Sequence, residues 1–70
     1  MSTNVEKRLT PAEKMKKLRG SKTKAEVALA IGVSESSYVK YERGERVPRD
    51  VVKRRIADYY GRSVDFIFFD

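Results

Sequence analysis

Three observations predict a compact all-α domain of five short helices. The segments "TPAE" and "TKAE" both have the Thr-x-x-Glu pattern of a capping box at a helix N-terminus. Glycine follows each of the first four apolar-patterned stretches, where a helix would end. The single segment with strand composition, "VDFIFFD", has no second strand to pair with, so we expect a short C-terminal helix there. We expect a flexible arm over residues 1–9 and one domain over residues 10–70.

The first two helices are predicted by their capping boxes. Thr10 precedes Pro11, which suits the first helical position because its missing N–H would have no partner inside the helix. The apolar Met15 and Leu18 lie three residues apart, and this helix ends near Gly20. A second helix begins after Thr23 and has its apolar face at Val27, Ala28 and Ile31. Gly32 ends it, because a left-handed backbone is least costly in glycine.

The third helix has two unlike faces. Ser34 caps it and Gly44 ends it, so it runs to about Arg43. At about 100° per residue, one face carries Tyr38 and Tyr41 and is expected to pack inward. The opposite, outward face carries Glu35, Ser36, Val39, Lys40 and Arg43.

A fourth and a fifth helix complete the prediction. Asp50 is expected to cap the fourth helix, and Gly61 to end it. Its apolar stripe is predicted to contain Val52, Ile56, Ala57, Tyr59 and Tyr60. Ser63 opens the short fifth helix.

The composition limits the possible functions. The chain has 16 Lys and Arg against 10 Asp and Glu, a formal charge of +6, which fits a polyanionic partner or simply a solubilising surface. It has no Cys and no His, and we find no catalytic constellation, so we expect neither an enzyme nor a metal or other cofactor. The longest apolar runs are far shorter than a membrane span, and we expect a cytoplasmic protein.

The segment "TKAEVALAIGVSESSYVKYERGERVP" at residues 23–48 resembles the phage-repressor and Cro-like (Xre-type) helix-turn-helix DNA-binding proteins. The resemblance rests on Ala28 in the second helix, "GVS" at residues 32–34 and "ERG" at residues 42–44. Pro48 and the ending "YYGRSVDFIF" resemble the same family. The resemblance implies a λ-repressor-like fold, with the helix-turn-helix in the second and third helices.

The resemblance also implies the roles of individual residues. The third helix would lie in the major groove of double-stranded DNA, with Glu35, Ser36, Val39 and Lys40 facing the bases. The candidates for phosphate contact are Thr23, Lys24, Arg43, Arg46 and Arg49, and for the three arginines a solvated surface is the alternative.

Two further expectations concern the core. Glu42 is often paired in the family with an Arg of the first helix, here Arg19, so we predict a partly buried structural ion pair. Lys53 and Arg54 stand where the family usually has apolar residues. Either the fourth helix is rotated toward Val52 and its neighbours, or the long side chains extend across the edge of the core.

The C-terminal segment carries the last open question. A short helix cannot bury all of "FIFF", so Phe66, Phe68 and Phe69 are candidates for a dimer or partner patch. The resemblance implies a homodimeric transcriptional regulator, a small phage or mobile-element type repressor that occupies an operator and needs no small-molecule ligand. The alternative is an antitoxin-like or anti-repressor adaptor that binds another protein through this apolar end.

Overall fold

The computed structural model describes residues 8–69, and this part of the chain contains five helices and no strand. The predicted arm at residues 1–9 lies outside the described residues except for Arg8 and Leu9, both exposed. The all-α prediction is confirmed. The helices are α1 (Pro11–Arg19), α2 (Lys24–Ile31), α3 (Glu35–Arg43), α4 (Asp50–Tyr60) and α5 (Asp65–Phe69).

Both predicted capping boxes are present. The Thr10 hydroxyl accepts from the Glu13 amide at 3.2 Å, and the Glu13 carboxylate accepts from the Thr10 amide at 2.9 Å. The same reciprocal pair joins Thr23 and Glu26, at 3.0 and 2.9 Å. Each box satisfies two amides that would otherwise lack a partner at a helix N-terminus, so local sequence sets where α1 and α2 begin.

The start of α4 differs from the prediction. Asp50 was expected to be the capping residue, but it is the first helical residue, and Arg49 occupies the capping position without a side-chain hydrogen bond. Arg49 has an extended backbone (φ −68°, ψ 163°) directly after the buried Pro48 and is the capping residue, so the helix begins at Asp50, one residue earlier than expected. The Asp50 carboxylate is fully exposed and lies 3.9 Å from the Lys53 ammonium. Its negative charge still interacts favourably with the helix dipole, because Asp50 lies in the first turn of α4.

The C-terminal segment is helical, as expected, but α5 is a single π-helical turn. The Ser63 hydroxyl accepts from the Phe66 amide at 3.0 Å and so begins this turn. Ile67 is fully buried, which fixes α5 against the rest of the domain.

One hydrophobic core joins the five helices. Helix α3 packs against both α1 and α2, α4 packs against α2, and α5 packs against α1. The core therefore holds one face of α3 and leaves the other to solvent. Its buried residues are Met15, Val27, Ala28, Ile31, Tyr38, Tyr41, Val52, Ile56, Ala57 and Ile67.

Candidate nucleic-acid interface

A tight turn fixes the direction of α3 relative to α2. Gly32 has a left-handed backbone (φ 76°, ψ 34°), and the following Val33 amide donates to the carbonyl of Ala28 at 3.0 Å. The Ser34 hydroxyl then accepts from the Ser37 amide at 3.0 Å and begins α3. This is a helix, a short turn containing glycine and a second helix, which is the helix-turn-helix unit.

The inner face of α3 is anchored by two tyrosines. Tyr38 is fully buried and Tyr41 is nearly so, and their rings meet edge to face at 6.4 Å between centroids. The Tyr38 hydroxyl lies 2.7 Å from the hydroxyl of Tyr60 on α4. Burial raises the pKa of both Tyr38 and Tyr60, so the two phenols are neutral at pH 7. The orientation of α3 is thus set from inside the core.

Near the C-terminal end of α3, Glu42 forms a bidentate ion pair with Arg19 of α1. The two nitrogen–oxygen distances are 2.7 and 3.1 Å. The side chains are 3% exposed for Glu42 and 15% exposed for Arg19. The hydrogen bond to Glu42 raises the pKa of Arg19, so its guanidinium is charged. This is the pair of residues that the sequence analysis matched, and it connects α3 directly to α1.

The outer face of α3 is open to solvent and lines one shallow hollow of about 390 Å³. Glu35 and Ser36 are exposed in the first turn, whereas Val39 and Lys40 are half-buried in the second. The hollow brings all four predicted base-contacting residues together with one predicted phosphate contact: Glu35, Ser36, Val39, Lys40 and Arg43.

A second groove, of about 480 Å³, lies beside the turn between α2 and α3. Arg46 and Arg49 line it, and a guanidinium nitrogen of Arg46 donates to the Ser37 hydroxyl at 3.3 Å. The sequence analysis missed a third arginine here, Arg55 of α4, which lies 3.5 Å from the carbonyl oxygen of Ile31. Its position three residues after Val52, at the edge of the apolar stripe, was the available signal.

Comparison with known protein families shows to which family this chain belongs. The family model described as helix-turn-helix matches residues 13–67, most of the chain. The chain belongs to the helix-turn-helix family. Helix-turn-helix domains of this Cro/C1 type are DNA-binding regulators and are generally not enzymes, and the five-helix fold is consistent with a λ-repressor-like domain. Searches of curated proteins and of solved structures returned no match.

The remaining predicted contacts lie elsewhere on the helix-turn-helix domain. Thr23 and Lys24 are at the N-terminus of α2. They line neither the hollow on the outer face of α3 nor the groove beside the turn between α2 and α3. Within residues 8–69 we find no group of side chains able to hold a metal ion, and no helix there is long and apolar enough to cross a membrane.

The three C-terminal phenylalanines of the helix-turn-helix domain divide into two kinds. Phe68 packs against the core, whereas Phe66 and Phe69 are 42% and 65% exposed. Lys53, which stands where the family usually has an apolar residue, is half-buried. Its ammonium lies 5.5 Å from the Phe68 ring centroid and 4.7 Å from that of Phe69. The long side chain of Lys53 therefore covers aromatic rings at the edge of the core, while Val52 fills the core itself.

Proposed function

We propose that this helix-turn-helix domain is a sequence-specific transcriptional regulator, a small repressor of phage or mobile-element type that acts by occupying an operator. The observation that carries the proposal is the hollow on the outer face of α3. A polar face that includes a carboxylate, a hydroxyl, an ammonium and one aliphatic side chain has partners on the edges of base pairs. Its residues are Glu35, Ser36, Val39, Lys40 and Arg43.

The individual side chains match different base edges. Lys40 can donate to the O6 and N7 acceptors of guanine, and Glu35 can accept from the N4 amino group of cytosine. Val39 can contact a thymine methyl group, and the Ser36 hydroxyl can serve several bases. Because these groups extend from one rigid helix, their spacing along the groove is set by the helix itself.

Phosphate contacts would surround this face and supply most of the affinity. The chain has a formal charge of +6, and neutralising DNA phosphates releases condensed cations, so binding should weaken as salt increases. We assign these contacts to residues at helix ends and in the connection after α3: Thr23, Lys24, Arg43, Arg46 and Arg49.

We further propose that the repressor acts as a homodimer. The exposed Phe66 and Phe69 supply apolar area at the C-terminal end, and Phe68 supports them from the core. A two-fold dimer would present its two α3 helices about 34 Å apart and would favour palindromic operators. Sedimentation that finds only monomer, both free and on operator-length DNA, would exclude the dimer.

Selection of binding sites from random duplex DNA tests the proposal, followed by affinity measurements on the enriched sequence over a range of salt. Lys40→Ala and Ser36→Ala should change which bases are enriched, with about 1–3 kcal/mol lost at the base that Lys40 contacts. Lys24→Ala should weaken all sequences equally and reduce the salt slope by about 1.

Lys22→Ala is the matched control, because it removes the same charge from the exposed connection between α1 and α2. It should leave base preference unchanged. Selection that enriches no motif would contradict the proposal of a sequence-specific regulator.

The second candidate function is the antitoxin-like or anti-repressor adaptor that binds another protein. The observation that favours it is the exposure of Phe66 and Phe69 in the C-terminal helix α5. A purified monomer with only weak, sequence-indifferent DNA binding would support the adaptor over the repressor.

A further inference from the structure

Three arginines line one groove on the flank of α3. The groove of about 480 Å³ beside the turn between α2 and α3 is lined by Arg46 and Arg49 from the connection after α3 and by Arg55 from α4. We call it the arginine groove. Among the described residues that line it there is no Asp or Glu. Because the charges that line it have one sign, the groove attracts an anion.

The positive charges of the arginine groove are not balanced by carboxylates elsewhere. Within residues 8–69, none of the three arginines forms an ion pair with a carboxylate. Arg46 donates to the hydroxyl of Ser37 at 3.3 Å, and a guanidinium nitrogen of Arg55 lies 3.5 Å from the carbonyl oxygen of Ile31. Both acceptors are neutral, so these two guanidinium groups keep their full charge.

Arg55 lies across the turn with donors to spare. A Cβ added at Gly32 would lie 3.3 Å from the Nη1 atom of Arg55, so the guanidinium lies directly against the turn. Its distance of 3.5 Å to the Ile31 carbonyl oxygen is long for a hydrogen bond. A guanidinium has five N–H donors in a planar fork. Arg55 can therefore keep this contact and still present two N–H groups to a pair of anionic oxygens.

The arginine groove lies next to the face of α3 that is proposed to meet the bases. Ser37 lines the groove and Lys40 lines the outer hollow, and the two are about 60° apart around the helix. An α-helix with its side chains is about 10–12 Å wide, and the major groove is about 12 Å wide. A helix that fills the major groove therefore has its flanks close to the phosphates that border it.

We propose that the arginine groove holds a phosphate of the DNA backbone and that Arg55 contacts this phosphate from α4. The inference rests on the proposed function and adds a contact to it, because only Arg46 and Arg49 of this groove were assigned to phosphates above. Arg55 would approach from behind the turn, so one phosphate would be held between the connection after α3 and the middle of α4.

A purely structural role for Arg55 explains less of the geometry. An arginine near a helix C-terminus can bond the last carbonyls, and Ile31 is the last residue of α2. That role needs only one donor and no second cation. It gives no reason for Arg46 and Arg49 to line the same groove without a carboxylate.

An acidic segment of another protein is a poorer occupant than DNA. Such a segment would have to be ordered on binding, which costs conformational entropy. A duplex that already meets the outer face of α3 would bring its phosphates to the flank without that cost. Free inorganic phosphate has the same chemistry as the backbone phosphate, so the experiment must separate these sources.

Affinity for duplex DNA, measured over a range of salt, tests the proposal with the full-length chain. Arg55→Gln removes the charge but can still donate to the Ile31 carbonyl. For each bound protomer, we expect it to weaken binding about five- to tenfold at 50 mM salt, on the selected operator and on an unrelated duplex alike. The salt slope should fall by about 1, so the loss should shrink by about 3.5-fold between 50 and 200 mM salt.

The neighbouring Arg54 provides the matched control. It is exposed on the same helix but lines neither the arginine groove nor the outer hollow. Arg54→Gln removes the same charge and should leave the salt slope unchanged. Arg55→Lys keeps the charge and should restore the slope. Equal effects of Arg54→Gln and Arg55→Gln, or a loss in Arg55→Gln that is the same at every salt concentration, would overturn the proposal.

Neutral methylphosphonate linkages, placed at one backbone position of the operator at a time, locate the phosphate. One position should weaken binding of the wild-type protein about fivefold and have no effect on Arg55→Gln, because the charge pair is already broken. Losses that are alike in both proteins at every position would contradict a contact by Arg55.

Two further measurements separate the sources of the anion and the two proposals. Inorganic phosphate or a twelve-residue Glu peptide, added at matched ionic strength, should neither compete with the duplex nor shift the amide resonances of residues 34, 37 and 55; either effect at a lower concentration than the duplex requires would overturn the assignment to DNA. If the chain binds no duplex at all, the proposed function fails and the inference fails with it. If the chain binds its operator but Arg55→Gln behaves as Arg54→Gln does, the proposed function stands and only the phosphate contact of Arg55 fails.

Discussion

Removal of Arg19 is the most direct test of how α3 is held. Glu42 is 3% exposed and accepts two hydrogen bonds from the Arg19 guanidinium, at 2.7 and 3.1 Å. In Arg19→Met the Glu42 carboxylate would remain buried without its cation, and breaking a buried pair in this way costs about 3–5 kcal/mol. Arg19 reaches solvent at 15% exposure, so we expect the lower end of this range. For a domain of this size, 3 kcal/mol corresponds to a Tm lowered by about 12–24 °C.

Substitution of the other partner of this ion pair, Glu42, should lower the free energy of unfolding by less, for a reason visible in the structure. In Glu42→Gln the amide oxygen can still accept from Arg19, and the guanidinium keeps its hydrogen bond to the carbonyl of Lys22 at 2.7 Å. We expect about 1–2 kcal/mol. The double variant Arg19→Met with Glu42→Gln should be more stable than Arg19→Met alone, because no unpaired carboxylate remains.

Thermal and urea unfolding followed by circular dichroism would measure these differences. The matched control is Arg43→Met, which breaks an exposed pair with Glu45 at 3.8 Å, where the side chains are 66% and 53% exposed. Such a pair contributes about 0–1 kcal/mol, so Tm should change little. If Arg19→Met melted within about 2 °C of the wild-type protein, the Arg19–Glu42 pair would not be a buried connection of α1 to α3.

Three further substitutions have expected outcomes in the same unfolding assay. Gly32→Ala should cost about 1–2 kcal/mol, because φ is 76° and the added Cβ would lie 3.3 Å from an Arg55 nitrogen; an unchanged Tm would argue against that backbone. Ser34→Ala should cost about 1 kcal/mol by removing the cap of α3, whereas Ser34→Asp should restore it. Burial raises the pKa of Tyr38 and Tyr60, so the unfolded chain loses these protons first and stability should fall as pH rises above about 10. Tyr60→Phe should flatten this decline of stability with pH. The same decline in the variant as in the wild-type protein would contradict the prediction.

The elements that the sequence predicts well are those with local causes. Thr10 and Thr23 begin helices through hydrogen bonds to residues three positions away, and Gly32 and Gly44 end them through backbone angles that glycine adopts easily. The inward face of α3 follows from periodicity alone, which is why Tyr38 was predicted correctly. These signals depend on neighbours within one helical turn and need no knowledge of the tertiary structure.

The features that the sequence did not resolve depend on contacts between distant segments. The choice between a rotated α4 and an extended Lys53 side chain was left open, because the rings that Lys53 covers belong to α5, fifteen or more residues later. The role of Arg55 beside the end of α2 was missed for the same reason, since Ile31 is 24 residues away. The start of α4 was predicted one residue too late, because the capping ability of the Asp50 side chain was given more weight than the extended backbone of Arg49 after Pro48.

Under the proposed function, the nine residues of α3 would have separate roles, with stability depending on the inner face and base recognition on the outer face. Tyr38, Tyr41 and Glu42 hold the helix through the core and α1, whereas Lys40 lies between them in sequence and faces the hollow. Because adjacent residues differ by about 100° around the helix, neighbours in sequence can have unrelated roles. Substitutions on the inner face should lower Tm and weaken binding to all sequences together. Substitutions on the outer face should change base preference at constant Tm, and a Lys40 variant that melted as early as Arg19→Met would show that the two roles are not separated.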